Sequence, residues 1–144
     1  MSDYLTVAKA KTRFNRTVSG LYDDEGSVND DWIQDDIDAV EGDINAALAA
    51  ADYDVPVTAT RAVNFLRGIA EDLLQERAYL RKPSANVPDS LQKVIDRRRE
   101  QLDNIAKGEL KVAGADFTAT AEASESITME GNTPEMTRPQ LSGF

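Results

Sequence analysis

The chain has 144 residues, 41% of them hydrophobic, and its 16 basic and 26 acidic side chains give a net charge of −10 at pH 7. This length supplies one domain with a modest core, and the absence of Cys and His excludes disulfides, thiolate or imidazole nucleophiles and most zinc or iron sites. The net negative charge argues against a protein that grips DNA phosphates, so we expect its partners to be proteins.

The first predicted element is a short helix over residues 6–14, which Ser2 or Thr6 can cap. The segment lacks the apolar core of a signal peptide, and no run of 18 apolar residues occurs in the chain, so we expect a protein made in a cytoplasm without a membrane segment. The helix is basic, and we expect its cations to pair with acidic side chains of the same molecule or of a neighbour; they are Lys9, Lys11, Arg13 and Arg16.

A turn-rich loop leads into the most acidic part of the chain, a long helix predicted over residues 29–51 and capped by Asn29. Residues 23–54 contain ten Asp and two Glu without Lys or Arg, so the rest of the chain carries a net charge of +2. The apolar side chains share one helix face, and Asp31, Asp35 and Asp38 lie on the opposite one. A solvated face explains such a run; the alternative is a surface that faces nucleic acid without binding it, or that imitates it.

The second half of the acidic helix carries small side chains, among them Ala46 and Ala49, on its outer face. They would allow a second backbone to approach closely, although helix propensity alone also explains alanines. The next helix is predicted to be capped by Thr58 or Thr60, after the stop at Pro56, and to reach about Leu80. Its predicted core stripe is Ala62, Val63, Leu66, Ile69, Ala70, Leu73, Leu74 and Leu80. Off that stripe lie Phe65 and Tyr79; we predict a subunit interface at Phe65, Tyr79, Ala46 and Ala49.

A proline-bounded connector at residues 81–88 precedes the last predicted helix, which runs from a cap at Asp89 or Ser90 to Lys107 and stops at Gly108. Its apolar stripe is Leu91, Val94, Ile95, Leu102, Ile105 and Ala106. Arg98 lies in the middle of this stripe, and Arg77 lies in that of the preceding helix. Because a buried unpaired cation is costly, each must find a carboxylate or extend its head to water.

The last part of the chain changes character, which divides it into a helical body at residues 1–112 and an extended C-terminal arm at residues 113–144. The arm has no sustained periodicity and is expected to be extended or disordered alone. Its large apolar side chains are widely spaced, so it can lie along a partner and insert them into separate pockets; a flexible tail is the alternative. These side chains are Phe117, Ile127, Met129, Met136, Leu141 and Phe144.

The predicted fold is therefore all-α: a small helical bundle of three long helices plus a short N-terminal helix, with an extended C-terminal arm. The sequence contains no glycine-rich phosphate-binding pattern and no G-x-S-x-G nucleophile motif. Carboxylates are abundant, but catalytic pairs require a cleft, and no pattern in the chain implies one. We predict a protein that is not an enzyme and that uses no cofactor or metal.

The order of these elements resembles the head-to-tail connector (adaptor) proteins of tailed bacteriophages. The resemblance covers residues 4–111, and residues 138–144 look like the terminal segment of some members. Its strongest parts are a helix that ends before Tyr53-Asp54-Val55-Pro56-Val57 and the terminus Ile105-Ala106-Lys107-Gly108-Glu109-Leu110. Weaker parts are the Tyr4-led helix, the Leu21-Tyr22-Asp23 turn, the Trp32 to Leu48 helix and Ile69-Ala70-Glu71-Asp72-Leu73-Leu74.

The resemblance implies a virion neck protein, assembled in the host cytoplasm, that forms a homo-oligomeric ring, typically of twelve subunits, under the portal protein. A tail or head-closure protein would bind the far side, and DNA would pass through the channel as cargo beside Asp31, Asp35 and Asp38. The arm would bind the portal through Phe117, Ile127, Met129, Met136, Arg138, Leu141 and Phe144. The alternative from the residues alone is a small acidic regulator or DNA-mimic binding module.

Overall fold

The computed structural model describes residues 3–15, 20–82 and 84–118. Within these ranges three long helices and one short helix confirm the predicted all-α bundle, and a two-residue antiparallel hairpin occupies the loop before the acidic helix. The elements are α1 (Val7–Arg13), β1 (Asp23–Asp24), β2 (Ser27–Val28), α2 (Asp30–Ala50), α3 (Thr60–Arg81) and α4 (Asp89–Ala106).

Two of the predicted helix caps are confirmed. The Thr6 side chain accepts a hydrogen bond from the Lys9 backbone N–H at the start of α1, and Asn29 accepts one from Trp32 at the start of α2. Gly108 adopts a φ of +77° just after α4, which confirms the predicted stop, because glycine enters this region without a steric penalty.

The other two cap predictions are wrong. The residues that precede α3 and α4 are Ala59 and Pro88, and neither helix has a side-chain cap hydrogen bond. Ala59 and Pro88 both have an extended backbone with φ near −60°. At Pro88 the pyrrolidine ring fixes this φ by itself. Thr60 and Asp89 are instead the first residues inside their helices.

The acidic helix α2 is the centre of the bundle and packs against α1, α3 and α4. Its apolar face is buried, as are most of the α3 stripe and the side chains that reach inward from the N-terminal segment. Burying these side chains removes apolar surface from water, which is the main force that holds the three helices together. The largest fully buried side chains include Ile33, Ile37, Ile44, Leu48, Leu66, Ile69, Leu74, Ile95, Ile105, Leu5 and Tyr22.

Two parts of the predicted core differ from the structure. Leu80 is 71% exposed, because it lies in the last turn of α3 beside an open groove between α2, α3 and α4, where no described side chain covers it. In α4 only Ile95 and Ile105 are fully buried, whereas Leu91, Val94 and Leu102 are half-buried. Helix α4 therefore lies less deeply in the bundle than its periodic pattern predicts.

The described part of the predicted arm is attached to the body. The Asp54 N–H donates to the Asp116 carbonyl at 2.9 Å, and the Thr118 N–H donates to the Asp52 carbonyl at 2.8 Å. The Phe117 ring stacks on Tyr53 with their centroids 4.6 Å apart. Phe117, predicted as the first anchor of the arm, thus lies against the body with 40% of its surface exposed. The other predicted arm residues, Ile127, Met129, Met136, Arg138, Leu141 and Phe144, lie outside the described residues.

Candidate interaction surfaces

The outer face of α2 is open to solvent along its whole length. Asp31, Asp35 and Asp38 are exposed, as the helical pattern predicts, and so are Ala46 and Ala49. None of the three carboxylates forms a salt bridge with a Lys or Arg of the described residues, and Asp38 accepts a hydrogen bond from Gln34. We name this surface, formed by these five residues, the α2 outer strip.

Two other acids of α2 are buried, although their residue type predicts exposure. Glu41 is 4% exposed and accepts hydrogen bonds from the backbone N–H groups of Asp3, Tyr4 and Leu5 at 2.7–2.8 Å. Its carboxylate therefore holds the N-terminal segment on the bundle. On a helical wheel Glu41 lies beside the apolar face of α2, and this is the only signal in the sequence for its burial.

Asp36 is the second buried acid, at 7% exposed. Arg81 binds it with two hydrogen bonds, from Nε to Oδ2 at 2.7 Å and from Nη2 to Oδ1 at 3.0 Å. The Tyr22 hydroxyl also donates to Oδ2, at 2.8 Å. The Arg81 guanidinium lies over the rings of Tyr22 and Trp32, 5.8 and 5.4 Å from their centroids. This cluster ties the start of α2 to the end of α3.

The cluster changes the protonation chemistry of its members. Burial raises the pKa of Tyr22, and its hydrogen bond to the Asp36 carboxylate raises that pKa further. The same carboxylate raises the pKa of Arg81 by accepting its hydrogen bonds. The phenol therefore stays neutral and the guanidinium stays charged, so Asp36 keeps a donor on each side.

The arginines of the apolar stripes are paired with carboxylates, which is one of the two predicted outcomes. The Arg98 Nε lies 2.6 Å from Oδ2 of Asp72, and Arg77 lies 3.7 Å from Asp43. The basic helix α1 also pairs within the molecule, through Lys11 with Asp30 on α2 at 2.9 Å and through Arg13 with Glu71 on α3 at 3.7 Å. Its fourth cation, Arg16, lies outside the described residues.

The predicted subunit interface is only partly open in the structure. Phe65 and Tyr79 are half-buried and pack against the core, so each leaves part of its side chain for another molecule. The exposed Ala46 and Ala49 lie on the α2 outer strip.

A groove of about 490 Å³ opens between α2, α3 and α4. Its apolar lining consists of Val40, Ala47, Leu73, Leu80, Leu102 and Ala106. Charged side chains also line it, including Arg77 and Arg99, which pair across the helices with Asp43 and Glu76 at 3.7 and 2.5 Å. We name it the Leu80 groove. An apolar floor with paired charges beside it is a shape that accepts an apolar protrusion of another protein.

The described residues contain no group of acids arranged to hold a metal ion. None of the described helices combines the length and hydropathy needed to cross a bilayer.

A family model described as "Bacteriophage Mu, Gp36" matches residues 4–130. The matched region contains all four described helices and the bridge between Tyr53 and Phe117. Comparisons with curated proteins and with solved structures gave no match.

Proposed function

The chain belongs to the bacteriophage Mu Gp36 family and is a phage protein, and from this membership we propose that it is a structural protein of the virion neck. In this proposal it forms a ring under the portal, joins the capsid to the tail and lets DNA pass through the ring. The partners are the portal protein, further copies of this chain, and a tail or head-closure protein on the far side.

The observation that carries the proposal is the α2 outer strip. Its three exposed carboxylates, on Asp31, Asp35 and Asp38, form no salt bridge with a Lys or Arg of the described residues. Their field repels phosphates, because like charges at short range raise the energy of contact. A channel wall with this surface lets DNA slide past without adhering to it.

The orientation of the α2 outer strip is fixed by contacts of α2 with the rest of the body. Glu41 and Asp36 fix α2 from both sides, one through the N-terminal backbone and the other through Arg81. A helix held in this way presents its outer carboxylates in a constant direction, which a ring of identical subunits repeats around its axis.

Attachment to the portal is assigned to the C-terminal arm, through the anchors Ile127, Met129, Met136, Arg138, Leu141 and Phe144. Phe117, the one predicted anchor within the described residues, stacks on Tyr53 of the body. The proposal involves no catalytic step and no cofactor.

The test is co-purification with the portal protein of the same phage, followed by electron microscopy. We expect a second ring coaxial with the portal ring when the full chain is present and no second ring with a chain truncated after Thr118. A full chain that neither binds the portal nor forms a ring on it would contradict the proposal.

The same strip also favours a second candidate, an acidic regulator or DNA mimic that occupies the basic groove of a nucleic-acid-binding protein. The triple variant Asp31→Asn, Asp35→Asn and Asp38→Asn separates the two. A mimic loses binding to its target in this variant, and wild-type binding weakens steeply with salt. A neck protein keeps its portal binding, since the arm supplies it.

A further inference from the structure

Residues 52–54 and 116–118 meet in an isolated antiparallel bridge just beyond the end of α2. The facing pair of this bridge is Tyr53 and Phe117, and one backbone hydrogen bond lies on each side of the pair, at 2.9 and 2.8 Å. The two rings stack with an angle of 15° between their planes. We name these two segments, with their rings and hydrogen bonds, the clasp.

Tyr53 provides the body's half of the clasp and is held by other contacts. It is 4% exposed, and its hydroxyl accepts a hydrogen bond from the Val112 N–H at 3.1 Å. The preceding residue, Asp52, has a φ of +64°, and its carbonyl accepts the hydrogen bond of the Thr118 N–H. This left-handed conformation is costly for a residue with a side chain, so the surrounding contacts must hold it.

Phe117 provides the other half and contributes little to the packing of the body. Its side chain is not among those of the apolar core, and 40% of its surface is exposed. Its ring contact is the stack on Tyr53, which is worth more than the area it buries. The contact therefore joins the segment after the last helix to the body, and it does not hold the helices together.

We infer that the clasp fixes the first six residues of the arm, 113–118, on the body, and that Phe117 is its positioning residue and not a contact with the portal protein. This inference rests on the proposed function, in which the arm attaches the ring to the portal. The portal contacts of the arm then begin beyond Thr118, at Ile127 and the anchors that follow it.

Fixing these residues shortens the linker before the first anchor. Nine residues lead from Thr118 to Ile127, whereas fifteen lead to it from Val112, the nearest buried residue before the clasp. The effective concentration of a tethered group falls with about the −3/2 power of linker length, so opening the clasp lowers it roughly twofold for each arm. A ring attaches several arms at once, and these losses multiply.

A disulfide can lock the clasp, because the chain contains no Cys of its own. Asp54 and Asp116 face each other next to the stacked rings, are exposed and line the same small concavity. Facing residues of an antiparallel pair have Cα atoms about 4.5–5.5 Å apart, which is within the range that a disulfide spans. The double variant Asp54→Cys and Asp116→Cys therefore closes the clasp when oxidised and leaves both rings in place.

Portal binding is then measured for full chains. We expect the oxidised double variant to bind within twofold of the wild type and Phe117→Ala to bind at least threefold more weakly. Phe117→Ala combined with the oxidised disulfide should return to within twofold of the wild type, because the disulfide replaces the stack. Val55→Ala, at an equally exposed position outside the stacked pair, is the matched control and should bind like the wild type.

Three results overturn the inference. A locked chain that binds the portal more than twofold more weakly shows that Phe117 must leave the body. A combined variant that is not restored by the disulfide shows that the portal contacts the ring of Phe117 itself. A Phe117→Ala chain that binds like the wild type shows that the ring does not position the arm.

Amide hydrogen exchange of the free full chain tests the clasp without the portal. We expect the Asp54 and Thr118 amides to exchange at least tenfold faster in Phe117→Ala, while the amides of α2 and α3 keep their wild-type rates. Equal rates at Asp54 and Thr118 overturn the inference and leave the proposed function standing. A wild-type chain that does not bind the portal overturns the proposed function, and the exchange of these two amides then decides whether the clasp exists.

Discussion

Arg81, the last residue of α3, holds the carboxylate of Asp36 on α2 with two hydrogen bonds of 2.7 and 3.0 Å. The carboxylate side chain is 10% exposed and that of the arginine 29%. Forty-five positions separate them in the chain, so the pair fixes the relative position of two long helices. The guanidinium also covers the rings of Tyr22 and Trp32.

Arg81→Met should destabilise the protein by roughly 3 kcal/mol, because it leaves a buried carboxylate with the Tyr22 hydroxyl as its remaining side-chain donor. Arg81→Lys should cost less, since it keeps the charge but loses the two-point geometry. Urea denaturation measures both changes. Arg97→Met, at an exposed position of α4, is the control and should shift the midpoint little.

The alkaline stability of the protein should depend on Tyr22. Its pKa is raised in the folded state, so at a pH above about 10 the unfolded chain ionises this phenol while the folded chain does not. A raised folded-state pKa gives a contribution that is complete below the unfolded pKa and declines above it. Stability should therefore fall as the pH rises from 9 to 11, and less steeply in Tyr22→Phe.

The measurement is the urea midpoint at each pH for both proteins. Tyr22→Phe will be less stable at pH 7, because Asp36 loses a hydrogen-bond donor, so the comparison concerns the slope with pH. Equal slopes would show that ionisation of Tyr22 does not cause the loss of stability at high pH.

Glu41 anchors the N-terminal segment by accepting three backbone hydrogen bonds. Glu41→Ala should destabilise the protein by roughly 3 kcal/mol, because it leaves buried N–H donors without an acceptor. Glu41→Gln should cost less, since one carbonyl oxygen remains. Thermal melts measure the loss, with Glu100→Ala on the exposed face of α4 as the matched control. A loss equal to that of the control would remove the anchoring role.

Arg98 and Asp72 form a half-buried pair, with side chains 25% and 20% exposed. The coupling free energy of the pair should lie between the values for surface and for buried ion pairs, at about 1–3 kcal/mol. Arg98→Leu alone should destabilise the protein by about that amount, whereas the double variant with Asp72→Leu should recover much of it. A double-mutant cycle from urea denaturation gives the coupling energy. An additive double variant would mean that the pair does not contribute.

Gly42 and Gly26 should respond oppositely to alanine. A Cβ at Gly42, in the middle of α2, would have open space around it, so Gly42→Ala should stabilise the protein by about 0.5–1 kcal/mol. Gly26 has a φ of +93° in the hairpin turn, a conformation that is strained for alanine. Gly26→Ala should therefore destabilise the protein by about 1 kcal/mol or more. Differential scanning calorimetry compares the two. A destabilising Gly42→Ala would indicate that the outer face of α2 contacts another chain at this position.

The sequence predicted the helices well because the signals for them are local. Apolar spacing on α2 and α3 identified the buried faces, Thr6 and Asn29 identified two helix starts, and Gly108 identified a helix end. The pattern also indicated that Arg98 needs either a carboxylate or water at its guanidinium, and the structure supplies Asp72.

The candidate surfaces were less accessible to sequence reasoning. Leu80 has the spacing of a core residue, and its exposure depends on where α4 lies relative to α3. The sequence predicts that Phe117 belongs to the arm, whereas its stacking on Tyr53 requires the chain to return past the end of α2. Neither arrangement leaves a periodic signal.

The sequence by itself determined the helical class, the helix order and the exposed acids Asp31, Asp35 and Asp38, because each depends on neighbours within about one helical turn. Only the tertiary structure decided that Asp36 and Glu41 are buried. Their donors come from residues 36 or more positions away in the chain, apart from the Tyr22 hydroxyl. Burial of a charge is set by partners that folding brings together, and no local pattern encodes them.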